Sequence, residues 1–136
     1  MPSQQQKALS FEALGAHLDL LGWRYTRVDE STYQSVHSTE EGELKVFVRL
    51  GKDWLVASVV PFLATRGNNS FELTRWLLRQ NRELFQAKFA TDHDGDVVLA
   101  LELPTESLDA GEIRIGLQGL VREAVRHRRI LRDASS

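Results

Sequence analysis

The stretch Asp92-His-Asp-Gly-Asp96 sets three carboxylates at alternate positions, the spacing with which a calcium-binding loop begins. Such a loop also needs Gly at its sixth place and Glu at its twelfth, where this chain has Val97 and Leu103. The pattern therefore reads as a solvated turn. The four histidines, His17, His37, His93 and His127, are scattered, and no two stand at the i, i+4 spacing that brings two imidazoles to one metal. Each reads as a hydrogen-bonded or exposed histidine. The absence of Cys excludes disulfides, thiolate metal sites and Cys nucleophiles together. No Ser lies in a Gly-x-Ser-x-Gly elbow, and no Gly-rich phosphate loop precedes a helix. The sequence thus predicts no catalytic residue, no metal and no cofactor.

Two basic features remain. Arg66-Gly-Asn-Asn69 stands just ahead of a helix start, where it could seat an anion on helix amides or form a polar loop ending in an N-cap. Near the C-terminus Arg122, Arg126, Arg128, Arg129 and Arg132 lie within eleven residues, opposed only by Glu123. Basic residues there are stabilised by the helix dipole, and a charged face keeps a helix solvated. The other use is a contact for phosphate or an acidic partner, because a guanidinium offers a planar set of donors. Arg122, Arg126 and Arg129 are the candidates for that contact. Aromatic residues that would stack on nucleobases are not interleaved with them, and the net charge of -2 gives no bulk attraction to nucleic acid or anionic membrane.

The segment Ser70 to Pro104 positions the rest. Ser70 is an N-cap residue, Glu72 complements the helix dipole, and the run Phe71 to Asn81 contains no Gly or Pro. Strands are expected over Phe85 to Asp92 and Val97 to Leu103, joined by a tight turn at Asp94-Gly95. Upstream, Phe11, Leu14, Leu18 and Leu21 mark a helix from Ser10 to Leu21, stopped by Gly22. Trp23 to Val28 and Tyr33 to His37 are weaker strand candidates. Leu44 to Leu50 alternates as a half-buried strand, and Trp54 to Pro61 is apolar enough to be central with both sides covered. After Pro104 a long helix runs from Asp109 to Leu131, with Asp109 and Glu112 at capping-box spacing.

A chain of 136 residues, 42% hydrophobic and 26% charged, fits one folded domain. The expected division is a flexible tail over residues 1–9 and a single domain over 10–132. Met-Pro-Ser-Gln-Gln-Gln-Lys7 has no apolar signal region, and no apolar run approaches the roughly 18 residues of a membrane span, which points to the cytoplasm. Strands joined by short turns and interspersed with three helices make an antiparallel α+β architecture.

The run Trp76-Leu-Leu-Arg-Gln-Asn81, followed by Phe89-Ala-Thr-Asp92, Asp94-Gly95, Val97-Val-Leu99 and Leu103-Pro104 with Ser107-Leu-Asp109, resembles the YbjN-like family and the related Tir-type chaperones of type III secretion. Leu20-Leu-Gly-Trp23 and the Trp54-to-Phe62 strand look like the YbjN-like branch. The resemblance implies an antiparallel sheet of about five strands with three helices in a bacterial cytoplasmic dimer. It also implies work done by holding another protein, in part by pairing with sheet edges and in part through apolar pockets. The YbjN-like branch is tied to stress and regulatory phenotypes. Secretion chaperones are usually markedly acidic, and this chain is nearly neutral.

The organising helix carries the dimer expectation. With Phe71 at zero, Leu73, Trp76 and Leu77 fall at roughly 200°, 140° and 240°, while Leu78 falls at about 340° beside Phe71. The first three form the sheet-facing stripe. Phe71 and Leu78, flanked by Thr74 and Arg75, form a second one that a twofold contact would bury. The sequence reading is thus a noncatalytic, chaperone-like module that binds and modulates a partner protein. A nucleic-acid-associated protein acting through the arginine helix and an unrecognised enzyme are the alternatives.

Overall fold

Ser10 accepts the Ala13 N–H at 3.0 Å and so starts helix α1 (Phe11–Leu20). Leu14 and Leu18 form its buried stripe, each contributing on the order of 2 kcal/mol by leaving water. Phe11 stacks on Tyr33 with ring centroids 3.9 Å apart, fixing the helix on the sheet. Residues 8–135 are described in the computed structural model. Residues 1–7 of the expected flexible tail lie outside them, and Leu9 packs against the core.

The strands are β1 (Tyr25–Asp29), β2 (Thr32–Thr39), β3 (Gly42–Leu50), β4 (Trp54–Leu63), β5 (Lys88–Thr91) and β6 (Val97–Pro104). Helix α2 (Phe71–Glu83) precedes β5, and α3 (Ala110–Ser135) follows β6. All pairings are antiparallel in a six-stranded sheet of order β1-β2-β3-β4-β6-β5. The expected count of about five becomes six because both weak N-terminal candidates pair with each other. Strand β1 gives little apolar signal because it is an edge strand, exposed from Thr26 to Asp29.

Below the helices the partners Ser35, Val46, Val59, Leu99 and Phe89 form one continuous buried row across the sheet. The expectation that β4 is covered on both sides is corrected. Leu55, Ala57 and Val59 are buried, but Trp54 is half exposed and Val56, Ser58 and Val60 are partly open on the other face. The helices are spent on one face. A register shift between Val59 and Leu63 returns Phe62 to the core.

The hairpin also differs from expectation. Helix α2 continues past Asn81 to Glu83, so the chain uses Leu84 to Ala87 to turn, and β5 begins only at Lys88. In the turn Gly95 alone is left-handed, at φ 80°, and its N–H donates to Asp92 O at 3.0 Å. This is a longer loop than a two-residue turn with positive φ at both Asp94 and Gly95. Helix α3 is longer than predicted, ending at Ser135, and its capping box is reciprocal. The Glu112 N–H donates to Asp109 Oδ1 at 2.7 Å, and the Asp109 N–H donates to Glu112 Oε1 at 3.1 Å.

Candidate protein-interaction surface

Helix α2 is set by both its ends and its inner face. Ser70 Oγ accepts the Leu73 N–H at 3.0 Å. Leu77 is buried, while Leu73 and Trp76 pack partly covered on the core. Trp76 meets His127 of α3 at 5.8 Å and Phe89 of β5 at 6.1 Å between ring centroids. His127 is 1% exposed, with Nδ1 at 2.7 Å from Glu123 O and Nε2 at 3.2 Å from Gln80 Oε1. It is a hydrogen-bonded core residue that joins the two helices.

With that face inward, the other projects Phe71, 73% exposed, and Leu78, 64% exposed. The Arg75 guanidinium lies 5.5 Å over the Phe71 ring, and Thr74 Oγ1 donates to Ser70 O at 3.0 Å. The structure thus places Phe71, Thr74, Arg75 and Leu78 together on the outer side of α2. A groove lined by Asn69, Thr74, Leu78, Asn81, Phe89 and Ala90 runs beside them. The sequence reading missed Phe85, which is 97% exposed just beyond the helix end. Helical periodicity does not reach it, because α2 ends at Glu83 and the chain turns through Leu84 to Ala87.

The arginines of α3 are drawn into the chain's own contacts. Arg128 donates to Pro61 O at 3.1 Å, Phe62 O at 3.1 Å and Glu43 O at 2.9 Å, and lies over the Phe62 ring. Burial pulls its guanidinium below the ordinary arginine range. Arg129 and Arg132 meet Glu41 at 3.5 and 2.7 Å, and Arg129 meets Glu40 at 3.0 Å. The Glu41 side chain is only 3% exposed, so this pairing is screened less than a surface one. Arg126 bonds Glu123 at 3.1 Å, and Arg122, 70% exposed, approaches it at 4.0 Å. Arg122, Arg126 and Arg129 therefore share the outer side of α3 without converging on a cavity.

The carboxylates of the 92–96 turn organise the backbone. Asp92 Oδ1 accepts the N–H groups of Asp94 and Asp96, and Asp96 Oδ1 accepts that of Arg66 at 2.8 Å. Gly95 O accepts the Gly67 N–H and Thr65 Oγ1, both at 3.0 Å. The loop amides that might have seated an anion are spent on this hairpin. Among the described residues no cluster of His, Asp and Glu could hold a metal, and no helix is long and apolar enough to cross a membrane.

The six-stranded antiparallel sheet with three helices is an α+β fold similar to that of type III secretion chaperones. The chain is similar over 85% of its length to the Yersinia pestis secretion chaperone SycH, solved with a stable fragment of YscM2, at TM-score 0.56 and 20% identity with 97% of SycH covered. It is similar over 89% of its length to a chain of the ExsC–ExsE complex, at TM-score 0.64 and 18% identity with 95% of that chain covered. No curated protein matches the chain at a significant level. The chain belongs to the YbjN family, described as "Putative bacterial sensory transduction regulator", whose model matches residues 10–129.

Proposed function

We propose that this chain is a noncatalytic cytoplasmic module that pairs with a second copy of itself through α2 and binds and modulates another protein. The observation that carries the reading is the outer stripe of α2, where Phe71 and Leu78 stand 73% and 64% exposed two turns apart. A helix on a monomer surface needs one apolar stripe, and α2 has two. The family description supports a regulatory role, and the fold is one in which relatives have been solved with protein partners. Stress response is the setting that this reading takes for the regulation.

Sedimentation of the parent and of Phe71→Glu with Leu78→Glu tests the dimer. The parent is expected to sediment as a dimer at micromolar concentration, and the variant as a folded monomer, because each new carboxylate faces a like charge across the twofold. Identical sedimentation of the two, or a monomeric parent, rules this interface out. Affinity capture from the native organism, with the same variant as control, then identifies the regulated protein.

A further inference from the structure

The sheet ends at β5, and the edge of a sheet presents unpaired N–H and C=O groups to any second strand. At the middle of β5 those groups are already taken. The Phe89 N–H donates to Asn81 Oδ1 at 2.7 Å, and Phe89 O accepts from Asn81 Nδ2 at 3.0 Å. One carboxamide thus supplies the acceptor and the donor that a neighbouring strand would offer to the same residue. Lys88 Nζ adds bonds to Asn81 O, at 2.8 Å, and to Leu84 O, so the last turn of α2 is tied to the strand it shields. The opposite edge is blunted by other means. In β1 the Arg27 guanidinium lies over Phe11 on the helix-covered side, and the register shifts between Arg27 and Asp29.

We infer that Asn81 closes the β5 edge to strand addition, so that a second copy of this chain joins through the side chains of α2 and not by extending the sheet. This rests on the dimer reading proposed above, whose apolar stripe lies on the same helix. Were both routes open at this end of the molecule, a chain could join one copy through α2 and another through β5. Such a chain would grow in place of closing into a pair. Asn81 removes the second route, and it is specificity in the mode of association that this residue supplies.

The test uses the full chain carrying Asn81→Ala, with circular dichroism to establish that it folds. At a dilution where the variant does not associate through the edge, the Phe89 amide is expected to exchange with solvent up to about tenfold faster than in the parent, as loss of one hydrogen bond implies. Sedimentation is expected to show species larger than the parent's. Added to Phe71→Glu with Leu78→Glu, Asn81→Ala is expected to bring back association by the edge alone. A folded Asn81→Ala that sediments as the parent does overturns the inference. Should that variant not fold, Asn81→Asp keeps the volume and the acceptor while setting a carboxylate against Phe89 O. Larger species are again expected, and parental size again overturns the inference. A monomeric parent defeats the dimer reading alone, and the effect of Asn81 is then read as association of a monomer.

Discussion

Helices α2 and α3 meet at Trp76 and His127, yet their outer faces are finished in opposite ways. On α3 the arginines turn back to their own chain, Arg128 to three carbonyls, Arg129 and Arg132 to Glu41, and Arg126 to Glu123. On α2 the outer Phe71 and Leu78 remain in water. A dense run of charge can be fully employed in holding a fold, whereas large apolar side chains left on a helix can leave water only against another molecule. The more conspicuous feature of the sequence is thus the more structural one.

The contrast makes unequal demands on mutation. The double change Phe71→Glu with Leu78→Glu should weaken self-association by about 100-fold or more while leaving the denaturation midpoint of the monomer near the parent's. Gly95→Val comes next. A Cβ there would stand 2.5 Å from Gly67 N, at a residue with φ 80°, so collision adds to backbone strain. Chemical denaturation should show a loss of about 3 kcal/mol, and a parental midpoint would contradict the docking of this hairpin on the loop that leads into α2.

Within α3 the comparison sharpens between neighbours. Arg128→Ala strands the carbonyls of Pro61, Phe62 and Glu43 and should cost about 2 kcal/mol by urea denaturation. Charge reversal at Arg126 and Arg129 should leave partner binding unchanged; the exposed Arg126 should account for no more than about 1 kcal/mol of any lost stability, the rest falling on Arg129, which would set a like charge against the covered Glu41. Loss of binding by that variant with its fold intact would make α3 the partner contact site.

The smallest expected effect lies at the other end of the sheet. Burial holds His37 below the ordinary imidazole range, beside Ser35 Oγ at 3.0 Å and edge-on to Trp23. The folded state therefore favours the neutral ring. Its contribution is complete above the unfolded pKa of about 6.5 and is lost as pH falls below it. The denaturation midpoint should therefore be slightly lower at mildly acidic than at neutral pH, and His37→Gln should remove that share of the difference.

Local chemistry determined much of this protein in advance. Ser10 and Ser70 as N-caps, Gly22 as a helix stop, the Asp109–Glu112 box and the inner stripe of α2 follow from residue types at fixed spacing, and each acts within a few residues of itself. The outer stripe at Phe71 and Leu78 was legible for the same reason, since helical periodicity assigns both faces at once. Strand β1 was faint because an edge strand need not alternate, and the open face of β4 because composition does not say how many helices are available to cover a sheet. What only the tertiary structure decided are contacts between separate elements of the fold. Arg128 reaches carbonyls across 66 and 85 positions, the Gly95 tip meets the 65–69 loop, and Asn81 finds Phe89 once α2 has come to rest along the edge of the sheet. Periodicity reports what a segment must bury, and the partner that does the burying is settled only when the segments pack together.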